Sequence, residues 1–467
     1  MMDRYVIEKI IQCALAAVDP QHLVLSRMKL RGDTLTIGET DLQLPDYSRV
    51  HVLGVGKGSS FLYQGVCQIL GSRIDGGVIV TIPEHASGNV GDPVTLIAGS
   101  HPIPDRHSLE AGRRLYGYAG KQVRGDDLVL FLITGGASAL VLKPVPGVTP
   151  KGVMELTRQL LICGADITEV NCVRKHLSDL KGGRLAALMA PARIVTIALS
   201  DVVDSSFSDI GSGPTVGDPT SYSQAMGILG KYRLVDRMAP GIKAHLEKGC
   251  RGEVPETPYP EDPLFKGHHR FLIGDNRLAL ETARAEIRKR GERAVILTSS
   301  DQGEAAGAAG VYAALLKDSA RFGEPFSPPV VLLAGGELTV TLNGSGTGGR
   351  NQELVMHMLK ALKDRDFPYH VVSVGSDGRD GPTDAAGAWI DHSTGQKLRR
   401  AGLDIDRYIR SHDSYHLFKR LGQLLVTGPT RTNVMDIRLF YLPRIRGSVQ
   451  LRHTRRGWKP GTAGWKR

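Results

Sequence analysis

Short apolar runs recur along this chain, and each ends on a small, polar or acidic cluster. The clearest are "HVLGV", "GGVIVTI", "DLVLFLI", "ARIVTIAL", "RFLIG", "RAVILTS", "VVLLAG", "HVVSVG" and "LLVTG". Continuous runs rich in Val, Ile and Leu read as strands buried on both faces. Between several of them lie longer stretches with helical spacing, such as "PKGVMELTRQLLICGA" and "NRLALETARAEIRKRG". The alternation predicts an α/β protein with largely parallel sheets. "LTVTL" (residues 338–342) alternates strictly and predicts one more strand. At the N-terminus Val6, Ile7, Ile10, Ile11, Leu15 and Val18 keep helical spacing, which predicts a surface-packed helix stopped at Asp19-Pro20.

The segment "CRGEVPETPYPEDPLFKGHH" (250–269) has four prolines and no periodicity. At 467 residues the chain exceeds what one core usually supports. Two α/β domains are therefore expected: residues 1–250, Rossmann-like with a largely parallel sheet, and residues 268–443. Residues 444–467 are expected to be a basic, disordered tail.

Composition changes this picture in three places. Glycine, 56 of 467 residues, gathers in clusters just after apolar runs, which implies tight loops at strand ends. The net charge of +11 suggests nucleic acid, but the last 25 residues carry eight Lys/Arg and no acid, so the rest holds only 11 − 8 = +3. Basicity belongs to the tail, which also holds Trp458 and Trp465, and a nucleic-acid role for the body is not expected. Finally, Cys13, Cys67, Cys163, Cys172 and Cys250 are scattered without a CxxC pair, which argues against zinc and a disulfide framework. No apolar run is long enough to cross a membrane, and Glu8-Lys9 interrupts any signal-like core. A cytoplasmic protein is expected.

Ligands of open α/β sheets gather beyond the carboxyl ends of strands, so the chemistry is sought there. "GVGKGSS" (54–60) has the letters of a phosphate-binding P-loop without its spacing. The first glycine would fall on His51, and Gly58 stands where a magnesium-binding hydroxyl is needed. A dinucleotide fingerprint needs Gly at 59, which is Ser59, and the nearest acid, Asp75, precedes a strand. What remains is Lys57, held on a tight turn. "FLITGGASALVL" turns at Gly135, Gly136, Ala137 and Ser138, a candidate phosphate cradle. "NCVRKHLSDLKGGRLA" keeps Val170, Val173, Leu177 and Leu180 on one face. Arg174, Lys175, Lys181 and Arg184 lie off it, as a solvated basic face or as phosphate ligands.

"IALSDVV" places Asp201 at a strand end, where a magnesium ligand or general base would sit, and "GSGPT" (211–215) follows as a rigid loop. In the second half, "GGELTVTLNGSGTGGRNQE" carries Glu337 and then Arg350 behind four glycines. Asp377, Asp380 and Asp384 follow "VVSVG", and Asn433 lies in "TGPTRTN". Cations and acids at strand ends, with few hydrophobes, suit a cleft for a small charged substrate and a phosphate donor.

These segments, in this order and from about residue 6 to 442, resemble the glycerate 2-kinases of the MOFRL family; "GGRNQE" and "DGPTDAAGA" are the most specific. The resemblance implies ATP-dependent phosphorylation of D-glycerate at its 2-hydroxyl, with Mg2+ or another divalent cation. It also implies an active site in an interdomain cleft. The family's functional lysine falls on Lys57 and its arginine on Arg350. Its acids fall on Asp201, Glu337 and Asp377, and its asparagine on Asn433. Lys57, Arg350 and Asp201 are the expected catalytic residues, with Asp201 also the candidate metal ligand, while Glu337, Asp377 and Asn433 are expected to bind substrate. Thr134, Arg431 and Met435 depart from the family pattern, which usually has Ser, Gly and Asn there. Two other activities are weighed: an NAD(P)H-dependent hydroxypyruvate reductase, and a non-catalytic anion-binding protein.

Overall fold

The structure, a computed structural model, describes residues 3–86, 93–203 and 206–445. The tail expected to be disordered lies, from residue 446 on, outside the described residues. Helix α1 (Arg4–Ala17) is capped by Asp3, whose carboxylate accepts from Val6 N–H. A second helix, α2 (Pro20–Arg27), begins at the expected break, with Asp19 as its cap and Pro20 in its first turn. The next three strands were not anticipated. β1 (Met28–Arg31), β2 (Thr34–Ile37) and β3 (Thr40–Gln43) form a small antiparallel meander. Each is only four residues long, too short to give a period.

The first large sheet comprises β4 (Val50–Val55), β5 (Gly76–Thr81), β6 (Val94–Ala98), β7 (Leu128–Ile133), β8 (Arg193–Leu199) and β9 (His269–Gly274). Their order is β6-β5-β4-β7-β8-β9 and every pair is parallel. The chain starts in the middle, steps outward to β6, and returns to lay β7 on the other side of β4. This is the Rossmann order, with its switch point between β4 and β7. β4, β5 and β7 are buried along their whole length, as their largely apolar runs require; the polar members His51 and Thr81 are hydrogen-bonded to Asp127 and to the Lys57 carbonyl.

The second sheet contains β10 (Ala294–Asp301), β11 (Val330–Gly336), β12 (His370–Gly375), β13 (Gly387–Asp391), β14 (Leu424–Leu425) and β15 (Asp436–Leu442), in the order β10-β11-β15-β12-β13-β14. Here the expectation of parallel pairing is corrected: only β10 and β11 run parallel. β15 lies at its centre and is wholly buried. The apolar pattern hides it, because "DIRLFYL" carries Asp436 and Arg438, which pair with each other at 2.9 Å inside the core. "LTVTL" forms no strand. Thr339 makes one bridge to Glu304, and the Thr339 and Thr341 hydroxyls donate to the Glu304 carboxylate.

The boundary at 268 shifts as well. β9 completes the first sheet, and α1 packs on helix Asn276–Lys289 beside the second. Ile7 and Ile10 share one core cluster with Leu280 and Ile287, and that cluster runs into both sheets. Arg4 sits 4.7 Å over the Trp389 ring. The two lobes are thus joined by a continuous apolar core, which fixes how their strand ends face each other.

Candidate active site

Lys57 lies in the crevice between β4 and β7. Gly56 N–H donates to Val80 O (3.0 Å), Lys57 N–H to Gly135 O (2.9 Å), and Gly58 N–H to Thr134 Oγ1 (2.9 Å). Gly56 has φ +146°, and a Cβ there would overlap Thr134. The glycines of "GVGKGSS" therefore let two strand ends touch; they wrap no phosphate. The Lys57 carbonyl accepts from Thr81 Oγ1 (3.0 Å) and from His85 Nδ1–H (2.7 Å), which pins the backbone. The amine itself makes no hydrogen bond or ion pair among the described residues. It borders a cavity of about 350 Å³, shared with His101, Gly135, Asp377, Arg379 and Asn433.

Asp201 follows β8 and lies against Gly135, where any Cβ would overlap its carboxylate. Asn433 reaches it from the second lobe, donating from Nδ2 to Asp201 Oδ2 at 3.2 Å. Burial pushes the Asp201 carboxyl up to about 6, helped by the Glu337 and Asp377 carboxylates and opposed by the Lys57 cation. Glu337 is also pushed up by burial, against the pull of Arg350 and Lys57. Residues from 57, 135, 201, 337, 377 and 433 thus meet electrostatically in one place.

Arg350 stands at the start of helix Arg350–Leu362, clamped by two carboxylates. Nη1 donates to Glu337 (2.6 Å), while Nε and Nη2 hold both oxygens of Asp436 (2.8 and 3.0 Å). Asp436 begins β15 in register with Gly336 and Gly375, the last residues of β11 and β12. Asn351 Nδ2 donates to Asp436 and to Asp380, which also accepts from the backbone N–H of Asn351 and Gln352. A two-point grip on a planar guanidinium fixes its direction. Asp436 and Asp380 are therefore positioning residues.

The cradle residues divide. Gly135 lines the cavity and Gly136 is left-handed (φ +81°), with His101 beside it. Ala137 is buried, and Ser138 Oγ meets Ser212 Oγ at 2.8 Å, further along. The expected solvated basic face is corrected. Lys175 is buried on Asp218 (3.2 Å) because the helix Ile167–His176 turns that face inward, and Lys181 is buried near Ser138 by the turn beyond the helix, where Gly182 and Gly183 N–H donate to Ser212 O and Gly213 O. His101, Asp380 as a positioning residue and Asp436 were missed. The signal for Asp436 was a pair of charges, Asp436 and Arg438, opening an apolar heptapeptide; His101 gave none. Burial and the Lys57 cation pull the His101 imidazole down to about 4, so it stays neutral at physiological pH.

Among the described residues no three His, Cys, Asp or Glu side chains enclose a metal by themselves. Mg2+ needs only one or two carboxylates besides water and phosphate oxygens. Asp201 and Glu337, whose carboxylate raises the proton affinity of Asp201, fit that donor set.

Residues 6–247 match a family model described as a domain of unknown function, DUF4147, and residues 330–436 match the MOFRL family. The chain is 37% identical to a glycerate 2-kinase of Pyrococcus horikoshii, over 93% of this chain and 96% of that one. It is 32% identical to a human glycerate kinase, covering 93% and 92%. The crystal structure of a Thermotoga maritima glycerate kinase superposes with TM-score 0.81 at 33% identity, covering 94% of this chain and 99% of that one. A relative from Agrobacterium vitis, 38% identical over 84% of this chain and 98% of its own length, carries a provisional hydroxypyruvate reductase name. Two sheets whose strand ends converge on a charged cleft define a two-lobed α/β enzyme. The chain belongs to the glycerate 2-kinase family that carries a MOFRL domain.

Proposed function

We propose that this protein transfers the terminal phosphoryl group of ATP to the 2-hydroxyl of D-glycerate, giving 2-phosphoglycerate and ADP. The observation that carries the reading is a chain of charges at the strand ends: Lys57, whose amine has no partner among the described residues, borders the cavity and acts on both Asp201 and Glu337, and Glu337 is in turn held by Arg350. Lys57 and Arg350 hold the substrate carboxylate and the transferring group. Asp201, at the carboxyl end of β8, takes the 2-hydroxyl proton on the oxygen that a bound cation leaves free. The hydroxyl oxygen then bonds to the γ-phosphorus as the bond to the β–γ bridging oxygen breaks. A divalent ion, when bound, neutralises phosphate charge; Asp201 and Glu337 would hold it. Glu337, Asp377 and Asn433 shape the substrate side, and Gly135 to Ser138 the phosphate side.

The reductase reading is weaker for a geometric reason. Asp75 accepts from Val50 N–H (2.7 Å), at the start of β4. That is the amino end of the sheet, about 20 Å from the crevice where a ribose would be read. Ser59 at the fingerprint's third position is buried, with Oγ donating to Gly56 O and Val80 O. Among the described residues no helix is long and apolar enough to cross a membrane. The five cysteines are unpaired, which supports a reducing, cytoplasmic setting.

The test is direct. Purified protein with ATP, Mg2+ and D-glycerate should release ADP and form 2-phosphoglycerate, not the 3-isomer, as resolved by ³¹P NMR. NADH oxidation with hydroxypyruvate, in the absence of ADP release, would overturn the reading.

A further inference from the structure

Helix Ile167–His176 and the turn behind it deliver two cations, Lys181 buried and Arg174 half-buried, that the reaction described above leaves unused. Lys181 is only 4% exposed. Its amine makes a single long hydrogen bond, 3.4 Å, to the carbonyl of Ser138. The guanidinium of Arg174, in the last turn of the helix, makes no hydrogen bond or ion pair among the described residues. No carboxylate lies within 4 Å of either group among those residues. The contrast with Lys175, adjacent to Arg174, is informative: it is paired with Asp218 at 3.2 Å, both side chains buried. The fold neutralises one cation here and leaves two beside each other without a counter-charge. Burial and the neighbouring Arg174 cation pull Lys181 down to about 7. A desolvated cation without a partner is costly, so such a pair persists where an anion completes it.

The surroundings hold the pair in place. Gly182 and Gly183 are left-handed (φ +56° and +78°). Their N–H groups donate to Ser212 O (3.0 Å) and Gly213 O (2.8 Å), which turns Lys181 inward. Asn171, on the same helix as Arg174, accepts from Ser212 Oγ (2.9 Å), and Ser212 Oγ meets Ser138 Oγ. Ser138 stands three residues past Gly135, which borders the Lys57 cavity. Arg174 is partly exposed, so the site opens to solvent.

We propose that Arg174, Lys181 and the Ser138 hydroxyl form a phosphate subsite that takes the α- and β-phosphates of the nucleotide, continuing from the cleft where its γ-phosphate reacts. This rests on the kinase reading. Two arginine- and lysine-borne charges match the two phosphates left on the diphosphate product, and the Ser138 hydroxyl, which donates to Ser212 Oγ in this structure, would turn to a phosphate oxygen. The same chemistry would suit the phosphate ester of the product, so the two sources need separating.

Full-length protein is titrated calorimetrically with ADP, pyrophosphate, 2-phosphoglycerate and D-glycerate, as wild type, Lys181→Met and Arg174→Gln. ADP and pyrophosphate affinity should fall tenfold or more in each variant. D-glycerate and 2-phosphoglycerate should stay within twofold, and Lys181→Arg should recover most of the ADP affinity. The ligand-free Lys181→Met variant should melt no lower than wild type, because it loses an unpaired charge and keeps the apolar stem. Unchanged ADP affinity in folded variants overturns the proposal, and so does a loss confined to 2-phosphoglycerate. If both variants fail to fold, wild type decides. ADP should slow acylation of Lys181 at least fivefold by mass spectrometry, whereas D-glycerate should not; equal labelling with and without ADP overturns the subsite. An active wild type with unaffected variants sinks this subsite alone, whereas a wild type without glycerate-dependent ADP release sinks the kinase reading beneath it.

Discussion

Asp201→Asn should yield a protein that is more stable near neutral pH and almost inactive. The carboxyl rises from an ordinary 3.8 to about 6, chiefly through burial beside Glu337. Roughly two units, at about 1.4 kcal/mol each, put the cost of holding it ionised at up to ~3 kcal/mol. Because the folded protein binds this proton more tightly than the unfolded chain, it carries the extra proton between about pH 4 and 6. Stability therefore falls as pH rises through that window, and the cost is fully present above it. Asparagine keeps the shape and can still accept from Asn433 Nδ2, but it carries no charge. The expected gain is about 1–3 kcal/mol at pH 8, shrinking towards zero near pH 4. Urea unfolding of both proteins at the two pH values, without nucleotide or divalent ion, measures it. Turnover should fall about 100-fold or more, the usual worth of a general base. A variant less stable than wild type at pH 8, or a gain of equal size at both pH values, would refute the reasoning.

Lys57→Met and Arg350→Ala should each lower kcat for glycerate phosphorylation by about 10²–10³, since each places a fixed charge on a developing one in a partly dry site; near-normal turnover in a steady-state ADP assay would remove that residue from the mechanism. Gly135→Ala should fold yet lose most activity, because its Cβ overlaps the Asp201 carboxylate and must displace it; a crystal structure showing Asp201 unmoved would contradict this. Lys175→Met should cost about 3 kcal/mol or more in denaturant unfolding, because Asp218 is left buried without its cation.

The Rossmann-like half was legible because parallel strands buried on both faces must be largely apolar, and β4, β5 and β7 are, with His51 and Thr81 the polar exceptions. The second half was less so. β15, the central strand of its sheet, carries Asp436 and Arg438, and a reading by hydrophobicity rejects buried charge. The two pair with each other two residues apart, but the contact of Asp436 with Arg350 joins segments 86 residues apart and leaves no local trace. "LTVTL" misled in the opposite direction. Its alternating threonines point their hydroxyls at Glu304 and pair with no neighbouring strand. The basic face around Lys175 and Lys181 misled because helical position says which side is polar, not whether another loop covers it.

The residue types at the strand ends were set by the chain itself. So was the failure of "GVGKGSS" to be a P-loop, since spacing is a property of sequence. The tertiary structure alone decided which of those ends meet. Switch-point geometry brings Lys57 onto Gly135, with its N–H on that carbonyl at 2.9 Å. The shared core behind α1 turns the second sheet so that Asn433 reaches Asp201. It also left the buried Lys181 and the half-buried Arg174 without a counter-charge among the described residues. Burial and long-range proximity set the charge state of these groups, and neither is written in any local stretch.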